Sequence, residues 1–405
     1  MNIILSDKGF YKRFLPLTYT RSVADYRVGI LTIKEKWEKL TEVEPGIITE
    51  KYLQNKYSYS ITPNSILVQA NVIPNHNFIE ALKNLKDAAL TKDGEIIAYT
   101  LTSEDIDIIP EKYIEYKQDL IIIKSNTDVF SLNGKLIQED YNTICADRKS
   151  AEISSTNIVF GKHPVFVEEG CFVECSTINT SEGPVYIGKN VKIMEGSHIR
   201  GPFAICENSE IKMGAKIYGS TTIGPECKVG GEINNSVFFA FSNKAHDGFL
   251  GNAVIGEWCN IGADSNNSNL KNNYAVVKLW DYESERFKNT GLQFCGLIMG
   301  DHSKCGINTM FNTGTVIGVS ANVFGSGFPR NFVPSFSWGG YAGLSEYKLN
   351  IAFDVMEKVM MRRNIKLTQT DKDIFEHIFE QTAVYRKFWT FAQNKCLSIA
   401  YRHLI

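Results

Sequence analysis

The residue with the clearest chemical potential is His246, in the stretch Lys244-Ala-His246-Asp-Gly-Phe249-Leu-Gly251. Imidazole titrates near neutral pH, so it can take and return a proton under ordinary conditions. The other candidates are plainer. His198, His302 and His377 have no clustered partners in the sequence and read as surface or packing residues. Nine cysteines are scattered along the chain. Cys171 and Cys175 are four apart, but no second pair or nearby histidines complete a zinc set. Buried, reduced thiols in a cytoplasmic protein are the expectation.

His246 lies where a repeat breaks. Aliphatic residues occupy every sixth position at Ile187, Ile193, Ile199, Ile205, Ile211, Ile217, Ile223 and Val229. Val167 and Val173 fit the spacing upstream. Ile255 and Ile261 resume it, and Met299, Cys305, Phe311, Ile317 and Val323 close it. Period six is neither helical nor that of an ordinary strand. It suits a triangular coil with one inward aliphatic per side and about 18 residues per turn. Such coils bury their apolar faces only against neighbouring coils. Glycines such as Gly188, Gly224, Gly256 and Gly318 follow the aliphatics and suit the corners.

The flanks differ. In residues 1–150 the runs NIILSD, SILVQANVIP, EIIAYTLT and DLIIIK read as strands, and NHNFIEALKNLKDAAL as helix. This alternation predicts a mostly parallel α/β sheet. The polar stretch QEDYNTICADRKSAEISSTN contains the expected boundary. After Gly343, Ser345 is expected to cap one helix, with Ala352, Val355, Met356, Val359 and Met360 as its apolar stripe. Thr370 with Asp373 is expected to cap a second, bearing Ile374, Ile378 and Tyr385.

The period-six pattern resembles the hexapeptide-repeat family of left-handed parallel β-helices, whose enzymes are mostly acyltransferases. That resemblance implies a homotrimer with acyl-CoA in a groove between adjacent prisms. The stretch from Lys244 through Asn260-Ile-Gly-Ala263 is similar to the acetyltransferase half of the bifunctional GlmU enzymes. The match gives His246 the general-base role towards a sugar amine attacking the acetyl-CoA thioester. It assigns Lys244, Phe249, Asn260, Ala263, Asn269 and Gly325 to acetyl-CoA and sugar binding. The family's phosphate-binding arginine falls on Glu207 and its lysine near Asn235. Lys212, Lys216, Lys228 or Arg200 are the substitutes the sequence offers. Between Leu270 and Cys295 an insertion leaves the repeat, which implies a loop or hairpin at the active edge.

The N-terminal Gly9-Phe-Tyr-Lys-Arg13-Phe-Leu-Pro16-Leu-Thr18 resembles the strand-to-helix loop of sugar-1-phosphate nucleotidyltransferases. Such loops cradle phosphates with backbone N–H groups and cations. The resemblance implies nucleotide binding by Gly9, Arg13, Arg21 and Asn71, and Mg²⁺ for the transfer. Tyr11 stands where the family has a second glycine. Asn71 stands in place of its magnesium aspartate and brings no charge, so Asp128 is the available metal carboxylate. Along essentially its whole length the chain is similar to a divergent GlmU-like group from Bacteroidetes. The shared segments include Arg27-Val-Gly29-Ile-Leu31, Phe294 to Thr309, and Pro334 to Trp338.

Length and composition allow this. The 405 residues are 43% hydrophobic and 22% charged, with a net charge of −2. Nothing points to nucleic acid, and no apolar run is long enough for a membrane span. The expected organisation is a nucleotidyltransferase-like, Rossmann-like α/β domain (1–150), a left-handed β-helix acetyltransferase domain (151–343) and a helical segment (344–405). The implied partners are a sugar phosphate, acetyl-CoA and a nucleoside triphosphate. Two other readings are an acetyltransferase with a non-catalytic N-terminal domain, and a non-enzymatic trimeric scaffold.

Overall fold

The computed structural model describes residues 1–386 except Thr102 and Glu104. The expected thiol Cys396 lies outside the described residues. The eight described cysteines are free.

The N-terminal unit starts with β1 (Asn2–Ser6), α1 (Ile33–Thr41), β2 (Gly46–Ile48), β3 (Ser65–Gln69) and β4 (Val72–Ile73). It continues through α2 (His76–Lys83), β5 (Ala89–Lys92), β6 (Glu95–Thr100), β7 (Tyr113–Glu115) and β8 (Ile121–Ile122) to α3 (Asn126–Ser131) and α4 (Asn133–Cys145). Its main sheet runs β2-β1-β3-β6-β5-β7. β1 pairs in parallel with β2 and β3, and β5 with β7, while β6 is antiparallel to both β3 and β5, so the sheet is mostly parallel with one reversed strand, β6. The long helix expected after Asn75 stops at Lys83, because Ala89 and Leu90 are drawn into the sheet. The run DLIIIK makes only a two-residue ladder with β4. The polar stretch after Gln138 continues α4 to Cys145 before the chain turns away.

From Ile158 the chain winds into a left-handed parallel β-helix with three faces of nine, ten and six strands. Inward residues stack in register: Ile187 on Ile205, Ile205 on Ile223, and onward to Met299, Ile317 and Val333. These residues are fully buried. The repeat breaks in sequence after Val229, yet the stack does not. Ile223 pairs with Phe238 after fifteen residues, and Phe238 with Ile255 after seventeen. The corners shorten while the ladder persists. The stack ends in an antiparallel hairpin, Ser337–Gly340 with Gly343–Glu346, which blunts the last edge. Ser345 therefore lies in a strand. The first C-terminal helix, α5 (Leu349–Met361), follows Lys348, and α6 (Gln369–Gln381) uses Thr368 with Asp371 as its capping box, two residues before the expected pair.

One face of the prism is covered by the chain itself. On the nine-strand face the outward Val237, Val254, Ile298, Val316 and Phe332 join one apolar core with Phe14, Leu17 and Tyr26 of the N-terminal unit and Met356 and Phe375 of α5 and α6. Further along, Phe166 and Ala204 pack with Ile137 and Tyr141 of α4. Polar groups fix the register. The Asn133 side chain donates to Ser220 O (2.8 Å) and accepts from Gly29 N (2.7 Å), and Thr222 Oγ1 donates to Gly29 O (2.8 Å). Gly29 has φ +86°, and a Cβ there would lie 2.5 Å from Asp140 Oδ2, so this turn requires glycine.

A buried ion pair also links the two units. Arg21 Nη2 bonds Asp301 Oδ2 and lies 3.4 Å from Glu257. Thr20 Oγ1 donates to the same Asp301 oxygen at 2.7 Å, and Glu257 N donates to the other at 2.9 Å. Arg21 also lies over the Phe239 ring, 5.1 Å from its centroid. Burial pushes the Asp301 carboxyl up against the pull of Arg21. Removing one partner of such a pair leaves an uncompensated buried charge. Asp301→Ala is therefore expected to cost about 3–5 kcal/mol. Urea unfolding followed by circular dichroism checks this; an unchanged midpoint would show that the interface does not depend on the pair.

Candidate functional site

His246 sits at a corner between the ten-strand and six-strand faces, between the strands Asn243–Lys244 and Phe249–Gly251. Its side chain is exposed and makes no hydrogen bond with the described residues. The coil beneath makes room. A Cβ on Gly231 would lie 2.9 Å from His246 O and from Asp247 Cα, and one on Gly230 2.6 Å from Ala245 O. The coil above is held by Asp264 N donating to Asp247 O at 3.0 Å.

Lys244 explains the shape of this corner. It pairs in register with Val229, so it occupies an inward position that an aliphatic normally fills. It is 1% exposed, and its ammonium donates to Gly230 O (3.2 Å), His246 O (2.7 Å) and Asp247 O (3.2 Å). Two of its bonds thus hold the backbone that carries His246, and the third ties that corner to Gly230 on the coil beneath. Burial pulls this ammonium down to about 8, with Asp247 opposing the shift.

Of the other expected residues of this half, Asn260, Ala263 and Gly325 lie along the same edge. Asn260 pairs with Asn243 one coil up and is exposed. Ala263 stands one coil above the His246 corner. Its carbonyl accepts from Asn308 N at 2.8 Å, while its own N–H has no acceptor among the described residues. Cys305 pairs with Val323, which places Ile307 opposite Gly325 on the next coil. Gly325 is exposed at φ +104°, with open space around it. His246, Ala263 and Gly325 therefore rise along one edge over three coil spacings, roughly 14 Å at ~4.8 Å per strand. Ile307 and Phe324 are exposed along this edge, and Trp338 and Tyr341 on the coil above. On the six-strand side, Asn269 donates to Asn252 Oδ1 at 2.8 Å. A Cβ on Gly251 would meet the Phe249 ring at 2.5 Å and Asn269 Nδ2 at 2.8 Å, so these three residues pack together.

Three of the cations offered as phosphate ligands are already paired. Lys212 and Lys228 both bond Glu210, and Arg200 lies 3.6 Å from Glu182. Lys216 is exposed.

The structure separates the N-terminal candidates. Gly9, at φ +91°, lines a cleft of about 320 Å³ with Lys8, Gln69, Tyr99 and Asp107 at the ends of β1 and β3. Arg13 lies on a short 3₁₀ turn and lines a different cavity, which faces the β-helix. Arg21 is committed to Asp301 and Glu257, as described. Asn71 is buried, with Nδ2 donating to Ile123 O at 2.8 Å and Oδ1 unpartnered among the described residues. Asp128 caps α3, accepting from Lys124 N (2.6 Å) and Ser125 N (3.1 Å). Among the described residues no group of three or more His, Cys, Asp or Glu could hold a metal.

Of the remaining histidines, His198 is exposed. His377 stacks on Tyr52 at 4.2 Å. His302 is buried beside Trp258 and Phe375, where burial holds it well below its ordinary value. Sequence reasoning singles out none of the residues that line the Arg13 cavity from the β-helix side. The signal available is the aromatic-rich LWDYESERF within the insertion. That insertion forms a hairpin, Lys278–Asp281 with Arg286–Asn289.

Residues 3–149 match the model of the family described as sugar nucleotidyl transferase. No curated protein matches the chain. Among solved structures, the polySia-specific acetyltransferase NeuO is similar at 16% identity and TM-score 0.26, over 48% of this chain and 87% of that one. Arabidopsis UDP-N-acetylglucosamine acyltransferase is similar at 17% identity and TM-score 0.22, over 59% and 83%. The N-acyltransferase AntD from Bacillus cereus, solved as a point mutant in complex with dTDP and coenzyme A, is similar at 14% identity and TM-score 0.22, over 52% and 91%. No helix among the described residues is long and apolar enough to cross a membrane.

Lys244 gives a test of the corner. Its folded value, about 8, lies below the ordinary lysine value, so the unfolded chain binds more protons between the two. Its contribution to stability therefore rises with pH from about 8 towards the ordinary lysine value. The unfolding free energy of the wild type is expected to gain on that of Lys244→Met across this window. Parallel denaturation curves at the two ends would contradict the placement.

Proposed function

We propose that this chain is a bifunctional transferase of sugar-nucleotide synthesis. The β-helix N-acetylates an amino-sugar 1-phosphate of the glucosamine 1-phosphate type with acetyl-CoA. The N-terminal unit couples the sugar 1-phosphate to a nucleotide from UTP or dTTP, releasing pyrophosphate. The observation that carries the acetyl-transfer reading is the vertical line of His246, the unused Ala263 N–H and the open Gly325 along one edge. The family match over residues 3–149 supports the nucleotidyl-transfer reading.

In the acetyl transfer, the sugar amine attacks the thioester carbonyl carbon while His246 takes the amine proton. A protonated amine has no lone pair to give, so a positioned base is worth roughly 10²–10⁴ in rate. The developing oxyanion needs a preorganised donor, and the Ala263 N–H is one that the fold leaves unspent. The C–S bond then breaks and coenzyme A leaves as the thiol, the proton coming back from His246. Phe249 and Asn269 are suited to hold the sugar, since both pack beside Gly251 on the six-strand face that runs on from the His246 corner. The exposed apolar residues near Gly325 suit the pantetheine of a CoA lying along the edge, against a neighbouring prism in a trimer. Working boundaries near residues 150 and 343 and a cytoplasmic location belong to the same reading.

A second reading keeps only acetyl transfer, with an N-terminal unit that binds without turnover. The commitment of Arg21 and Asp128 to structural bonds favours it. The assays separate the readings. With glucosamine 1-phosphate and acetyl-CoA, free thiol is expected to appear, and His246→Ala is expected to lower the rate by about 10²–10⁴. Retention of full activity by His246→Ala would overturn the site. With UTP or dTTP and the sugar phosphate, pyrophosphate is expected; its absence with every pair leaves acetyl transfer alone. A protein that binds no CoA in calorimetry would be a scaffold.

A further inference from the structure

The cavity that contains Arg13 belongs to neither half of the molecule alone. It measures about 200 Å³ and opens between the N-terminal unit and the hairpin that leaves the β-helix after Leu270. Arg13, Ser125 and Thr127 line one side. Trp280, Asp281, Tyr282 and Lys288 line the other. From these walls we infer an anion site for a phosphate-bearing ligand that is completed by the β-helix hairpin, with Arg13 and Lys288 as its two cations. This rests on the nucleotidyl-transfer reading and deepens it: the hairpin supplies the second cation that the N-terminal motif lacks.

Three observations support an anion. The first is charge. The Arg13 side chain makes no ion pair or hydrogen bond with the described residues, and only its backbone N–H is spent, on Phe10 O. The one carboxylate present, Asp281, is already neutralised by Lys288 Nζ at 2.8 Å and by the Ser284 N–H, also 2.8 Å. The cavity therefore carries a net positive charge. The second is unspent hydrogen-bonding capacity. Tyr282 is 5% exposed and its hydroxyl has no partner among the described residues; the Trp280 indole N–H is likewise buried and unpartnered. Buried donors without acceptors are costly, and a ligand oxygen removes that cost. The third is rigidity. Asn126 Nδ2 donates to Phe14 O (3.1 Å) and Leu15 O (3.0 Å), which ties the Arg13 turn to the wall opposite the hairpin. The volume lies below the ~300–1,000 Å³ of sites that enclose a drug-sized ligand, which suits phosphate oxygens rather than a whole nucleotide.

The phosphate could come from the nucleoside triphosphate or from the sugar 1-phosphate, and separate titrations with UTP and with glucosamine 1-phosphate distinguish them. Inorganic pyrophosphate serves as the minimal probe. Calorimetry of the full chain is expected to show pyrophosphate binding, and Trp280 fluorescence is expected to change with it. Lys288→Ala and Arg13→Ala should each weaken binding roughly tenfold or more, as for loss of a charge-assisted bond. Lys288 is on an exposed hairpin, and retained acetyl transfer by Lys288→Ala would show that the variant folds. Lys288→Arg should restore most of the affinity. No binding to the wild type, or equal binding to Lys288→Ala, overturns the site. Pyrophosphate release that proceeds unchanged in Lys288→Ala sinks the site while leaving nucleotidyl transfer intact. Lys288-dependent binding without release from any substrate pair supports the site and removes the catalytic reading.

Discussion

A β-helix coil has no fold of its own. Its strands of two or three residues are too short to hold a sheet, and its single row of inward side chains has nothing to pack on until another coil arrives. Everything else in this molecule depends on that stacking. It explains why Ile187, Ile205, Ile223, Phe238 and Ile255 stay in register although the corners between them change length. It also explains where reactive groups can be. Inward positions are taken by the stack and strand backbones by the ladder, so exposed reactive side chains and unused N–H groups are left to the corners. The ladder then spaces those groups by a fixed rise. His246, Ala263 and Gly325 are far apart in sequence and aligned in space for this reason.

The same stacking leaves three outward faces to be dealt with, and the chain spends one of them on its own termini. The outward residues of the nine-strand face are apolar from Val237 to Phe332, and the N-terminal unit and α5–α6 cover them. Apolar burial provides the adhesion; the polar contacts select the register. Arg21 with Asp301, and Asn133 with Thr222 and Gly29, can be satisfied in one alignment only. Several segments that look like motifs in the sequence, Arg27 to Leu31 and the Asp301 region, are therefore docking surface. Their side chains are consumed in joining two units. A buried pair such as Arg21–Asp301 adds little net stability over an apolar contact, yet breaking it is costly, and that asymmetry is what makes it selective.

This division also describes what can be read from the sequence. The hexads are legible because burial acts on one residue in six without exception from Ile187 to Val229. The N-terminal strands are legible because β1, β3 and β6 are continuous apolar runs. The corner bearing His246 stands out because glycines, a histidine and asparagines replace aliphatics there. What the sequence hides are assignments that depend on a distant partner. Nothing local to Arg21 announces Asp301, 280 residues away. Lys244 looks like a binding residue because lysine is usually solvated, and only the register with Val229 shows that it points into the core. The capping box of α6 is ambiguous by two residues because threonines at 368 and 370 are both followed, three residues on, by an aspartate.

The insertion between Leu270 and Phe294 shows how one departure from the repeat can serve two places. The chain leaves the stack immediately after Asn269, which bonds Asn252 and packs beside Gly251 and Phe249 on the six-strand side, and rejoins it through the Leu270–Phe294 bridge. Between those points it reaches across the covered face to line the cavity beside Arg13. Both ends of the excursion are pinned by the ladder, and its tip is packed through Tyr282 against Tyr19 and Phe332. A hairpin held this way is not a loose surface loop. Its position is set jointly by the β-helix and the N-terminal unit, so the geometry around Arg13 exists only when the two are docked. The docking contacts, remote from either candidate site, are thus a condition for the second site to have walls at all.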